Sequence, residues 1–199
     1  DSSIIFDGTG DYLTIPDSSD WDMGTGSFTL ELWARFNATG TAEVLFMRDM
    51  TSNNRNIFLS KQSDDTVYAS TGTGTGWFGT CTSTTALSAD TWYHIAYVRD
   101  GSDFELFIDG TSEDTDTDST TMYDANTPLY IGIQYDSGTS LPLDGYLDEI
   151  RYSDTARYTS NFTPSTTPFT TDANTKLLIQ SDFSEGGLGA DHSGNYNYF

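Results

Sequence analysis

Between residues 28 and 36 the chain alternates strictly. Phe28, Leu30, Leu32, Ala34 and Phe36 fall on one side, and Thr29, Glu31, Trp33 and Arg35 on the other. A period of two places successive side chains on opposite faces of an extended strand, so this segment predicts a strand with one face in a core. The same reading predicts strands at 3–6, 11–15, 43–48, 56–61, 66–69, 77–81, 92–99, 104–109, 129–133, 145–152 and 175–181. Helical periodicity is nearly absent. About a dozen strands with no helix between them predict an all-β, antiparallel fold, and a chain of this length closes as a two-sheet β-sandwich, a jelly roll.

The punctuation agrees with that pattern. Asp7-Gly8-Thr9-Gly10, Asp100-Gly101-Ser102-Asp103 and Asp109-Gly110 sit between apolar runs, where Gly supplies positive φ and Asp tolerates it, so they predict hairpin turns. Residues 151–171 alternate little and contain Pro164 and Pro168; this stretch, with its body at 159–174, reads as a connection covering one sheet edge. Leu177-Leu178-Ile179 then returns as a closing strand, expected near residues 3–6. The 199 residues read as one domain, with 175–199 as closing strand and lead-in to a further module.

Charge narrows the partners. Thirty acidic residues against eight basic give −22, and Asp outnumbers Glu 24 to 6. Nucleic acid is excluded as a partner, because phosphate binding releases counterions onto Lys and Arg that this chain lacks. No run reaches the ~20 apolar residues of a membrane-spanning helix, so membrane insertion by helix is excluded. Asp set among Thr, Ser, Gly and Asn marks loops and offers oxygens to hard cations, which points to calcium, a saline setting or plain solubility. The lone Cys81 has no partner for an internal disulfide.

Six segments, in order, resemble laminin-G-like domains of the concanavalin A-like lectin/glucanase superfamily: 5–13, 28–33, 92–101, 106–110, 129–132 and 144–151. The resemblance implies a concanavalin A-like jelly roll with adjacent termini, used in that family for glycan binding, adhesion and protein contact. The segments 153–158, 161–164, 175–179 and 190–195 are similar to laminin-G-like modules in structural proteins of tailed phages and environmental viruses. That narrower likeness implies an extracellular or virion-surface setting, with other structural protein subunits as partners.

Catalytic residues are not expected. Retaining glycosidases need two carboxyl groups ~5–5.5 Å apart. Glu105 and Asp109 on one strand are about 13 Å apart by strand rise, and the neighbours Asp148 and Glu149 should point to opposite faces. Asp114, Asp116 and Asp118 open like a calcium loop, but Ser119 and Ala125 stand where its Gly and bidentate Glu belong. Comparison with the pentraxin branch of the superfamily implies calcium ligands at Asn53, Asn54, Gln134 and Asp136; Asp7, Asp11 and Asp191 form a second, weaker cluster, since adjacent termini would bring them to the same edge. His94 reads as a packed strand residue.

For sugar, the Gly-rich stretch 70–80 offers Trp77 and Phe78 on a mobile tip, and Tyr135 is a third ligand-binding candidate. Trp21 sits in another Asp-rich loop. The expected function is a non-enzymatic glycan-binding or adhesion module, assisted by calcium, whose partner is a glycan or cell-surface polysaccharide. Two alternatives stand beside it: a structural protein-contact module of a virion or appendage, and, more remotely, a glycoside hydrolase.

Overall fold

The computed structural model describes residues 2–48, 54–136 and 139–181. In chain order its strands are β1 (Ile4–Asp7), β2 (Leu13–Ile15), β3 (Phe28–Phe36), β4 (Glu43–Arg48), β5 (Arg55–Lys61), β6 (Val67–Gly74), β7 (Trp77–Thr82), β8 (Trp92–Asp100), β9 (Asp103–Ile108), β10 (Thr111–Thr117), β11 (Leu129–Ile131), β12 (Tyr135–Asp136), β13 (Thr139–Ser140), β14 (Asp144–Ser153) and β15 (Thr175–Ile179). Among the described residues the one helical element is a 3-10 turn, Ser19–Trp21, opened by the Ser18 hydroxyl accepting from the Asp20 N–H.

Two antiparallel sheets form the sandwich. One has seven strands, ordered β1-β14-β3-β8-β9-β10 with β15 also on β14; the other has six, ordered β2-β11-β4-β5-β6-β7. The alternation in β3 decides which face lies inside. Phe28, Leu30, Leu32, Ala34 and Phe36 are all fully buried and share one core with Leu45, Phe46, Ile57 and Leu59 of the facing sheet. Each such side chain stabilises the fold by roughly 1.5–3 kcal/mol, enough for many of them together to outweigh the self-repulsion of an acidic exterior.

Three expectations change. The sequence Thr-Ser-Glu-Asp-Thr-Asp-Thr, which has no apolar member, is the strand β10, paired with β9 through one register shift. Its carboxylates reach the edge of the other sheet: Asp116 accepts the Thr80 N–H, Asp114 that of Thr82, and Glu113 those of Thr84 and Thr85, all at 2.8–3.0 Å. These acids satisfy backbone donors and are not arranged as a calcium loop.

The closing strand β15 pairs with Ile150–Ser153 of β14, while β1 pairs with Asp144–Leu147 of the same strand. The ten residues of β14 therefore hold both terminal strands end to end on one edge, and Ser2 and Ser181 exchange hydroxyl-to-carbonyl hydrogen bonds where they meet.

The connection after β14 covers a face and not an edge. Ala156, Tyr158 and Phe162 pack on the outward Ala96, Val98 and Phe107 of the seven-stranded sheet, because those small and apolar side chains leave a surface that must be kept from water. Rings of Tyr158 and Phe162 stack at 3.6 Å. Beneath them the fully buried Glu31 takes Arg151 at 2.7 Å, the Tyr158 hydroxyl at 2.8 Å and His94 Nε2 at 3.1 Å. His94 is thus a packed strand residue, enclosed by the rings of Trp33, Tyr158, Phe162 and Phe169.

Candidate functional site

Strand register writes the outer face of the seven-stranded sheet as a grid. Asp148, Trp33 and His94 lie in one row across β14, β3 and β8, and Tyr146, Arg35 and Trp92 in the next. The connection seals the His94 end of the grid and stops short of the rest. There a cavity of about 810 Å³ opens between the sheet and the turn at 165–168. Its walls are the indoles of Trp33 and Trp92; around them stand the hydroxyls of Ser2, Ser3, Ser165, Thr166, Thr167 and Ser181, and the carboxylates of Asp148 and Glu149.

Each indole is held from behind. Trp33 meets the buried His94 ring edge-on at 5.4 Å, and Trp92, 38% exposed, lies 6.4 Å from the Tyr146 ring. Arg35 stacks its guanidinium 5.0 Å over Tyr146 and pairs with Asp90 at 2.5 Å, so its charge is already matched. Rings fixed in this way lose little freedom when a ligand stacks on them.

The two carboxylates share the cavity because the strand is bulged. From Asp148 to Arg151 the register advances three residues on β14 against two on β3, and Glu149 takes φ 52°. Strict alternation, which would send neighbours to opposite faces, is broken at this point. Asp148 Oδ1 accepts the Ser181 hydroxyl at 2.8 Å, the Glu149 N–H at 2.9 Å and the Ser181 N–H at 3.3 Å; Oδ2 has no donor among the described residues. Glu149 accepts Gln180 Nε2 at 2.9 Å and the Phe169 N–H at 2.6 Å. Burial pushes the Glu149 carboxyl above its ordinary value, partly offset by those two donors.

The residues expected from the sequence fall elsewhere. Phe78 is 7% exposed and edge-on to Phe104 at 5.8 Å, so it belongs to the core and offers no platform. The stretch 70–80 is a tight hairpin and not a mobile tip: β6 runs to Gly74, β7 starts at Trp77, and the Thr73 N–H reaches the Gly76 carbonyl at 3.0 Å. Gly72 is required there, since a Cβ would lie 2.2 Å from the Arg55 carbonyl oxygen. Trp77 is half-buried on the outer face of the six-stranded sheet, 5.9 Å from the Phe58 ring with Arg55 above it at 5.5 Å. Trp21 is 1% exposed, in the core beside Tyr152.

Of the expected calcium ligands, Asn53 and the side chain of Asp136 lie outside the described residues, as do Asp191 of the second cluster and the side chain of Tyr135, the third sugar-binding candidate. Gln134 donates its N–H to Leu141, beside Val44 at the start of β4, whereas Asn54 precedes β5 and lies past the far end of β4. The register therefore sets Asn54 and Gln134 at opposite ends of one strand and does not bring them to a common ion. Asp7 and Asp11 close a local turn, with Asp7 holding the Thr9 N–H at 2.9 Å. At the end of β4 the buried Arg48 draws in Asp17, Asp22 and Asp124 at 2.6–3.2 Å, carboxylates that balance a guanidinium. Among the described residues no group of three or more His, Cys, Asp or Glu is placed to hold a metal.

The cavity has one signal in the sequence. Trp33 stands among Thr29, Glu31 and Arg35 on the polar side of β3, where a large ring has no core to fill.

Comparison with known proteins adds the wider context. No curated protein matches the chain. Among solved structures, a Bacteroides ovatus protein proposed to bind carbohydrate superposes with a TM-score of 0.70 at 17% identity, covering 96% of this chain and 57% of its own. Domain 4 of AbnA, a GH43 extracellular arabinanase from Geobacillus stearothermophilus solved with arabinotriose, gives 0.61 at 18% identity over 77% of this chain and 71% of that one. The CBM40 of the Ruminococcus gnavus IT-sialidase gives 0.61 at 14% identity over 80% and 93%. These likenesses are of fold. Residues 7–161 match the laminin G type of family described as the concanavalin A-like lectin/glucanases superfamily, and with more than half of its length matched the chain belongs to that superfamily.

Proposed function

We propose that the chain is a non-catalytic glycan-binding module whose sugar site is the cleft of Trp33 and Trp92. The observation that carries this reading is the lining of that cavity, two supported indoles ringed by hydroxyls and carboxylates. Sugar rings present apolar C–H faces and equatorial hydroxyls, so an aromatic wall and a polar rim match the two kinds of surface at once. Catalysis has less support, because Glu149 already accepts from Gln180 and Phe169 and Asp148 anchors Ser181. The carbohydrate-binding neighbours point the same way. A Lys-poor, acidic exterior fits a module displayed outside the cell or on a virion.

The test is a glycan array on the intact chain, run with calcium and with chelator, followed by calorimetry on the best hit with Trp33→Ala and Trp92→Ala. Each substitution should weaken binding at least about tenfold, the worth of one lost stacking contact. Circular dichroism should be unchanged for Trp92→Ala. Binding that survives both substitutions but is lost in Trp77→Ala would move the site to the opposite sheet, and an array without hits would remove the reading.

A further inference from the structure

Electrostatics of the cleft select among glycans. Among the described residues that line it none is Lys, Arg or His, and the charged ones are Asp148 and Glu149. The basic side chains nearby are matched within the fold: Arg35 by Asp90 and Tyr146, and Arg151 by Glu31 with its guanidinium 4.1 Å over the Phe169 ring. An anionic sugar entering here would set its carboxylate against two others with no cation to pair with, and both like charge and loss of water disfavour that.

The opposite charge meets favourable partners on every side. Asp148 Oδ1 is saturated by Ser181 and the Glu149 N–H, while Oδ2 has no donor among the described residues. A protonated amine has three donors and no acceptor, which suits an oxygen in that state. The indole faces of Trp33 and Trp92 attract a cation through their ring quadrupoles as well as stacking on an apolar sugar face. A chain at −22 also draws cations toward it over a Debye length.

We infer that the unit recognised in this cleft is an amino sugar carrying a free, protonated amine, seated between Trp33 and Trp92 with its ammonium on Asp148. The inference rests on the glycan-binding reading of the same cavity and specifies its ligand. Sialylated glycans, present in complexes of the fold's CBM40 neighbour, are excluded here by the carboxylate lining.

The experiment compares three probes by calorimetry on the full chain, at mildly acidic pH where the amine is protonated: a neutral oligosaccharide ending in one glucosamine, the same oligosaccharide N-acetylated, and 3′-sialyllactose. One amine per probe keeps general attraction to an acidic protein small. The glucosamine probe should bind at least about tenfold more tightly than its acetylated twin, the order expected of one charge-assisted contact, with no measurable binding of sialyllactose. Asp148→Asn should bring the glucosamine-to-acetyl ratio close to one. Since Asp148 also holds Ser181, a second variant, Thr166→Lys, puts a cation at the rim without touching that contact and should reduce the same ratio.

Equal binding of free and acetylated probes would overturn the inference and leave the glycan-binding reading standing. An amine preference that persists unchanged in Trp33→Ala would overturn it as general charge attraction. Failure of all three probes, together with an array without hits, would remove both.

Discussion

Under residues 154–174, the outer face of the seven-stranded sheet buries Glu31, His94 and Arg151 completely or nearly so; two positions along β3 and β8, and three along the bulged β14, Trp33, Trp92 and Asp148 face an open cavity. Both halves use a carboxylate, aromatic rings and neighbouring polar groups. In the sealed half each oxygen of Glu31 has a donor: Arg151 on Oε1, His94 and Tyr158 on Oε2. In the open half one oxygen of Asp148 is spent on the fold, and the other has no donor among the described residues. Residue type alone does not separate a structural acid from a binding one; the count of donors already committed to it does.

The largest effect should come from breaking the sealed half. Burial works against the Glu31 carboxylate, but His94, Arg151 and Tyr158 outweigh it and hold the group below its ordinary value. Glu31→Ala leaves Arg151 buried without its partner, which costs about 3–5 kcal/mol. The melting temperature should fall by roughly 10 °C, and a fall of only a degree or two would show that the network is dispensable.

Next comes Phe162→Ala, which removes the ring stacked on Tyr158 and packed against Phe107. It should cost about 2–4 kcal/mol and raise proteolytic nicking within 154–174 before the sheets unfold. Nicking elsewhere first would mean that the connection does not depend on that stack.

The open half is probed by pH. Glu149 has its folded value raised, so its charged form opposes folding; that penalty is absent below the unfolded value and fully present above the folded one. Glu149→Gln should therefore gain stability relative to the parent as pH rises from about 4 to 7, provided the amide keeps one acceptor for the Phe169 N–H. A variant whose melting runs parallel to the parent across that window would contradict this.

The smallest effect concerns the clasp of Arg157 on Asp172, at 2.9 and 3.0 Å. Hydrogen bonds from Arg157 hold the Asp172 carboxyl well below the usual carboxylate range. The sign is opposite to that of Glu149: the contribution is present above the unfolded value and lost as pH falls toward the folded one. Because Asp172 is half exposed, Asp172→Asn should cost no more than about 1 kcal/mol at neutral pH and flatten the acid limb of the stability curve.

What was legible in the sequence follows from the same physics. Strict alternation announced β3 because its inner face is apolar throughout, whereas β8 showed as the apolar run 95–98, since its outer Ala96 and Val98 are covered as well. Applied to Trp77-Phe78, the rule of two sends one ring inward and one outward, as the structure has it; reading the pair as a loop tip overlooked this. The strand β10 gave no such signal, for its order comes from carboxylates capping backbone donors of another sheet, a long-range match that local pattern does not encode. The bulge was hidden too. Positive φ at a glutamate has no sequence mark, and without it Asp148 and Glu149 could not share one cavity.

The meeting of β1 and β15 on β14 has a mechanical side. Both run antiparallel to β14, so they point in the same direction, β15 arriving at Ser181 where Ser2 sets out. The edge of the sheet is in effect a single strand with a nick in it, and a circular permutation joining 181 to 2 by a short linker would preserve the described strand pairings. The nick lies at the rim of the cleft, where Ser2, Ser3 and Ser181 form part of the wall.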